Sequence, residues 1–153
     1  MNISEYISLK EAVRSNTAKR LGLDNMPDNE TLVTMQITAQ HIFEPLRNKF
    51  NEPIYISSFY RSPELNAAIG GSKTSQHCLG EAIDIDDVYS KATNADFFHY
   101  INDHLEFDQL IWEFGDDESP SWVHVSYSLG KNRMKKLRAI KENGKTKYIP
   151  WSL

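Results

Sequence analysis

Two short stretches of this sequence alternate strictly between apolar and polar residues, which is the pattern of a strand with one buried face. The first covers residues 82–86 and places Asp84 on its polar face, opposite two isoleucines. The second covers residues 122–127 and places His124 on its polar face, opposite two valines. Both strands therefore need a covering layer on one side, and both present polar side chains to a cleft on the other.

A helical pattern upstream provides a covering layer. Residues 29–50 have apolar side chains at three- and four-residue spacing, which predicts an amphipathic helix, with a bend at Pro45. We expect its apolar stripe to cover one face of the sheet. The stripe consists of Leu32, Met35, Ala39, Ile42, Phe43, Leu46 and Phe50.

The remaining elements are predicted from caps and turn residues. Ser8 and Glu11 have the spacing of a capping box, and Gly22 is placed to end a short helical N-terminal arm. Asn143-Gly144 predicts the turn of a C-terminal β-hairpin. Further helices are expected at 62–70 and 93–105, and further strands at 54–58 and 108–114. This order predicts an α+β fold with a central, mainly antiparallel sheet flanked by helices, in one domain over residues 1–153.

Composition restricts the classes of protein and of metal site. No apolar run approaches the length of a membrane span, and the first residues lack the pattern of a secretory signal. Cys78 is the only cysteine, so His and carboxylate side chains must hold any metal. The net charge is −4, yet residues 131–148 contain eight Lys or Arg and one acid.

Two imidazoles and one carboxylate could converge on a metal ion. His77 lies in a glycine-flanked loop, and Asp84 and His124 lie on the polar faces of their strands. This ligand set suits one Zn²⁺ ion and leaves a fourth position for water, whose pKa zinc lowers to ~7. The other histidines are interpreted as structural or solvated: His41, His99 and His104.

The sequence motifs around these residues resemble those of a known family. Residues 75–85 are similar to the SxHxxGxAxDI signature of the zinc D-alanyl-D-alanine carboxypeptidases and L-alanyl-D-glutamate endopeptidases. Residues 57–63 resemble the arginine element of that family, and residues 122–126 resemble its last-ligand strand. The N-terminal residues resemble its small phage-associated members. The resemblance implies His77, Asp84 and His124 as zinc ligands and Arg61 as the residue that binds substrate. The Arg61 guanidinium could hold a carboxylate or act in catalysis by stabilising the developing oxyanion, and the alternative is a surface charge beside a helix.

The sequence departs from the family pattern at Ser121, where many members have an acidic general base three residues before the final histidine. Serine without a partner cannot accept the proton. We interpret Glu113 as the base, because it ends an apolar strand expected beside His124. The alternative is an exposed strand-end acid. Asp116, Asp117 and Glu118 are interpreted as a solvated turn.

Three further residues are candidates for supporting roles. Ser75 is predicted to orient His77 by a hydrogen bond and to contact substrate. Asp86 and Ser126 share strand faces with Asp84 and His124, so both are expected to be hydrogen-bonding neighbours of the ligands.

The resemblance implies a zinc peptidase that hydrolyses peptidoglycan stem peptides, with carboxypeptidase and endopeptidase activity both open. We expect a monomer without nucleic-acid or membrane partners, encoded by a phage or prophage, made in the cytoplasm and acting on the cell wall after release. A second hypothesis is a non-catalytic zinc module that binds the wall or builds a virion. A third is a nucleic-acid binder using the basic segment, which the acidic remainder of the chain disfavours.

Overall fold

The computed structural model describes residues 1–152 and contains one six-stranded sheet. The strand order is β1-β2-β4-β3-β5-β6, and every neighbouring pair is antiparallel except β3 with β5. The strands are β1 (Tyr55–Ser58), β2 (Ala82–Asp86), β3 (Gln109–Glu113), β4 (Trp122–Ser126), β5 (Lys135–Glu142) and β6 (Lys145–Pro150). The predicted α+β class and C-terminal hairpin are confirmed.

The helices lie before and between the strands, and none in residues 1–152 is long and apolar enough to cross a membrane. Short α1 and α2 form the predicted N-terminal arm. The helices are α1 (Leu9–Ala12), α2 (Asn16–Leu21), α3 (Asn29–Thr38), α4 (Glu44–Phe50), α5 (Pro63–Ala68) and α6 (Asn94–His104), with a 3-10 helix at Gln76–Leu79.

The irregularity predicted at Pro45 is a π-helical segment, Ala39–Phe43, that joins α3 to α4. Proline lacks an N–H, and its ring crowds the carbonyl four residues earlier. A wider turn just before Pro45 relieves that conflict while the helix continues.

The core lies between this long helical unit, α6 and one face of the sheet. The alternating residues of β2 and β4 bury their apolar members, as predicted, and leave Asp84 and His124 on the opposite face. Each large side chain buried in this way contributes about 1.5–3 kcal/mol. Fully buried members include Met35, Leu46, Ile83, Phe97, Phe98, Trp112, Val123 and Val125.

Local signals in the sequence explain the ends of these elements. Ser8, Ser62 and Thr93 accept hydrogen bonds from backbone N–H groups in the first turns of their helices. At the hairpin turn, Asn143 and Gly144 have φ angles of 54° and 76°, the left-handed pair that a tight two-residue turn requires.

Gly80 ends the 3-10 helix against α3, and we predict that Gly80→Ala is destabilising for two reasons. Its φ is +75°, and an added Cβ would lie 2.7 Å from Met35 Cγ and 3.1 Å from Thr31 O. Strain and overpacking together should lower the free energy of unfolding by about 2–4 kcal/mol. Urea denaturation followed by circular dichroism measures this.

Gly130→Ala is the matched control, because Gly130 has a φ of +76° and no atom near the added Cβ. It should cost only the backbone strain, about 1–2 kcal/mol. Equal losses in both variants would contradict the contact of Gly80 with α3.

Candidate metal centre

Asp84 and His124 lie directly opposite each other in the antiparallel pair β2–β4. Paired residues point to the same face, so the strand register brings both side chains together. His77 reaches them from the 3-10 helix that precedes β2. Ser75 caps this helix, and its Oγ accepts a hydrogen bond from His77 N at 3.3 Å.

The three side chains meet on Asp84. His124 Nδ1 lies 2.9 Å from Asp84 Oδ1, and His77 Nε2 lies 3.3 Å from Asp84 Oδ2. One potential ligand atom from each residue lies within 4.8 Å of the others. In residues 1–152, this is the only group of three or more His, Cys, Asp or Glu side chains placed to hold a metal ion.

A backbone carbonyl sets the chemistry of the buried His77. Phe59 O lies 2.8 Å from His77 Nδ1, and because a carbonyl only accepts, Nδ1 carries the proton. In the neutral ring, Nε2 then presents a lone pair to the Asp84 carboxylate. Two acceptors 3.3 Å apart repel each other unless a cation or a proton lies between them.

The donor set therefore fits a metal ion, and two imidazoles with one carboxylate suit zinc. Burial opposes the ionisation of Asp84, but the positive charge that His77 and His124 carry when protonated, together with their hydrogen bonds, outweighs it and holds the pKa of Asp84 below its ordinary value. A metal cation bound by the neutral rings would supply that positive charge in place of the protons. Asp84 is thus an anion, as a ligand must be.

Glu113 brings a second carboxylate to the same face. It ends β3 opposite Trp122, one alternation beyond the Ile111–His124 pair, and its backbone oxygen accepts from Ser121 N at 2.8 Å. It is only 6% exposed, so the interpretation as an exposed strand-end acid is wrong.

The pKa of Glu113 is raised to about 7 in the metal-free protein. Burial is the main cause, the nearby His124 opposes the shift, and the negative charge of Asp84 adds to it. This is the range in which a carboxyl group both accepts and returns a proton at neutral pH. The neighbouring acids differ: Asp116 Oδ1 accepts from two backbone N–H groups of its own turn, and the exposed Asp117 pairs with Arg138.

Arg61 lies beside the centre. Its backbone N donates to His77 O at 3.2 Å, and its Nη1 donates to Asn66 Oδ1 at 3.0 Å. Within residues 1–152, its buried Nε has no hydrogen-bond partner. A planar guanidinium with unused donors is suited to bind a carboxylate. Asn66, which also donates to Ser72 O, was not found from the sequence.

Two of the sequence-based interpretations need correction. Asp86 Oδ1 accepts from Asn94 Nδ2 at 2.9 Å, so this carboxylate fixes the start of α6. Ser126 Oγ accepts from Gln109 N at 3.0 Å and joins β4 to β3. Neither bond goes to a candidate ligand.

The other three histidines are exposed and contact aromatic side chains, which agrees with a structural or solvated role. His41 stacks on Tyr127 with ring centroids 4.3 Å apart, and His99 contacts Trp112 edge-on at 5.9 Å. His104 packs against Tyr100 at 4.8 Å.

The metal centre opens into a cleft of about 800 Å³. Its floor is the polar face of β2, β4 and β3, and the hairpin β5–β6 forms one side. The residues nearest the chemistry are Arg61, Ser75, His77, Asp84, Glu113, Trp122 and His124, and all of them line the cleft.

A His-Asp-His cluster that lines a cleft, with a buried carboxyl group beside it, defines a metallopeptidase type of site. Residues 5–126 match the family described as Peptidase M15, so the chain belongs to the Peptidase M15 family of metallopeptidases. The match includes the whole metal centre and ends at the last residue of β4, so the hairpin β5–β6 lies outside it. None of the curated proteins compared with this chain matches it.

We predict that His124→Ala loses stoichiometric zinc. Removing a ligand should weaken binding more than about 100-fold, because disturbing an outer hydrogen-bond partner alone costs 10–100-fold. Metal analysis after gel filtration, with competitive chelator titration, measures the affinity. His41→Ala, which removes an exposed histidine outside the cleft, should keep the zinc. Equal zinc in the two variants would contradict the assignment.

Glu113 predicts a pH dependence of stability in the chelator-treated protein. Its pKa is about 7 when folded against 4.5 ordinarily, so the folded state favours the protonated form. This contribution is present below pH 4.5 and is lost as pH rises through 7. Glu113→Gln should therefore gain stability relative to the parent between pH 5 and pH 8, by up to roughly 3 kcal/mol.

Urea denaturation at the two pH values measures this difference. Glu118→Gln removes one negative charge from the exposed turn that follows β3 and serves as the control. A gap between the Glu113→Gln and parent proteins that stays constant with pH would show that the carboxyl group is not buried as described.

Proposed function

We propose that this protein is a zinc-dependent peptidase that hydrolyses peptide bonds in peptidoglycan stem peptides. The observation that carries the proposal is the buried Glu113 carboxyl group beside the His77, Asp84 and His124 cluster, within a cleft large enough for a peptide. Membership of the Peptidase M15 family supports peptide hydrolysis. The substrate class rests on the similarity of residues 75–85 to the signature of cell-wall peptidases.

Each residue of the centre has a separate role in the proposed reaction. When bound, zinc supplies a Lewis acid that activates water and polarises the scissile carbonyl. Glu113 accepts the proton of the attacking water and returns it to the leaving amine, because it is the carboxyl group that β3 places beside the ligands. His77 stays oriented through Phe59 O, and His124 through the β2–β4 register.

Arg61 positions the substrate. Its guanidinium is anchored at Nη1 by Asn66, while its buried Nε has no partner within residues 1–152. A carboxylate of the peptide would satisfy such donors and fix the register of the scissile bond. Whether that carboxylate is terminal decides between carboxypeptidase and endopeptidase activity.

We extend the proposal to the protein's setting. It acts as a monomer, without nucleic-acid or membrane partners, and reaches the wall after release in a phage or prophage context. The hypothesis of a non-catalytic wall or virion module was based on Ser121 in place of an acid. Glu113 supports catalysis instead, because it lies at the strand end next to Ser121 and supplies the missing carboxyl group.

The experiment is mass spectrometry of purified peptidoglycan after incubation with the zinc-loaded protein. We expect new stem-peptide fragments that disappear with chelator and return with zinc. Glu113→Gln should lower the rate by about 10²–10⁴-fold while zinc content is unchanged, because proton transfer is lost and the ligands are not.

Asp103→Gln is a control for the loss of an acid, since Asp103 is exposed on α6 and does not line the cleft. It should cleave at the parent rate. Intact peptidoglycan, from protein shown to hold zinc, would favour the non-catalytic module. Full activity in Glu113→Gln would assign the proton transfer to another group.

A further inference from the structure

The hairpin β5–β6 lies beyond the family match, yet it forms one side of the cleft that contains the metal centre. Strand β5 runs parallel to β3, and β6 pairs with β5, so the sheet continues past Glu113 without a break. Its cleft-lining side chains are Lys135, Leu137, Thr146 and Tyr148.

Strand register explains how Tyr148 faces the metal centre. Glu113 pairs with Ala139 in β5, and Ala139 pairs with Tyr148 in β6, so the three residues share one row and one face. Ala139 has a side chain of one carbon and is fully buried, which means that neighbouring groups cover it. In this row, the methyl group of Ala139 is the only side chain between Glu113 and Tyr148.

The phenol of Tyr148 remains protonated at neutral pH. Partial burial raises its pKa, and the nearby negative charges of Glu113 and Asp84 raise it further. Tyr148 is thus a neutral hydrogen-bond donor at the rim of an acidic centre, with about half of its surface exposed to the cleft and solvent.

Lys135 provides an available positive charge on the same face. It pairs with Gln109 in β3, and none of the five ion pairs found within residues 1–152 involves it. Arg133 also lines the cleft, but Asp108 already holds its Nε and Nη2, each at 2.9 Å. A carboxylate entering from this side therefore meets Lys135.

We propose that the hairpin β5–β6 is a specificity wall for acidic peptides, in which Lys135 pairs with a substrate carboxylate and Tyr148 donates a hydrogen bond to the peptide chain. The inference rests on the proposed function, because it takes the substrate to be a peptide bound across the metal centre. Arg61 follows β1 and Lys135 begins β5, so these two cations lie on opposite sides of the ligand strands β2 and β4.

The test measures binding of two probes to the zinc-loaded protein in a Glu113→Gln background, where hydrolysis is suppressed. One probe is a stem peptide with a free glutamyl carboxyl group, and the other is the same peptide with that group amidated. Calorimetry should show the free acid binding about fivefold more tightly, the effect of one partly exposed ion pair. Adding Lys135→Gln should abolish this preference.

Lys136→Gln is the matched control, because Lys136 is adjacent, exposed and on the other face of β5. It should keep the preference. Tyr148→Phe should weaken the binding of both probes about threefold, because one hydrogen bond to the peptide is lost. The preference for the free acid should remain. Tyr89→Phe, at an exposed tyrosine outside the cleft, should change neither.

Equal effects of Lys135→Gln and Lys136→Gln on the preference would contradict the proposed role of the hairpin in specificity. The absence of a preference in the parent would contradict it as well. Chelator-sensitive cleavage by wild-type protein tests the proposed function separately. Cleavage without a Lys135-dependent preference contradicts only the proposed role of the hairpin in specificity. A Lys135-dependent preference without cleavage contradicts only the peptidase.

Discussion

The arrangement of the site depends on one partly buried carboxylate, Asp84, held between two imidazoles. A buried charge without partners costs several kcal/mol, so the fold must place His77 and His124 accurately around it. The β2–β4 register fixes His124, and the Phe59 carbonyl with the Ser75 cap fixes His77. These supports come from three separate parts of the chain, which links the integrity of the metal centre to that of the sheet.

The sequence predicts the elements and faces well because both depend on short-range patterns. Alternation in β2 and β4 identified the polar face that carries the ligands, and caps identified the helix starts. Asp86 and Ser126 show the limit of that reasoning. Alternation gives the face of a residue but not its partner, and one alternation moves a side chain about 6.6 Å along the strand. Asp86 is therefore next to Asn94.

Long-range pairing and backbone groups escape this kind of prediction. The parallel pairing of β3 with β5 depends on the connection from β4 to β5, which passes the start of β3, and no local pattern specifies it. The carbonyl of Phe59 has no side-chain signature, although it sets the tautomer of His77. Asn66 looks like an ordinary helical residue until the fold places its amide against Arg61.

The same sheet geometry gives a physical reason for serine at position 121. Neighbouring strands lie about 4.8 Å apart, so a carboxyl group on β3 opposite Trp122 reaches the region that the end of β4 would otherwise serve. From there Glu113 is covered on its far side by β5, which buries it and raises its pKa. The hairpin beyond the family match thus has two effects: it covers the proposed base, and it extends the cleft with the side chains that we propose contact the substrate. Glu113 and Tyr148 are far apart in the sequence, yet the pairing of β3 with β5 and of β5 with β6 places them in one row of the sheet.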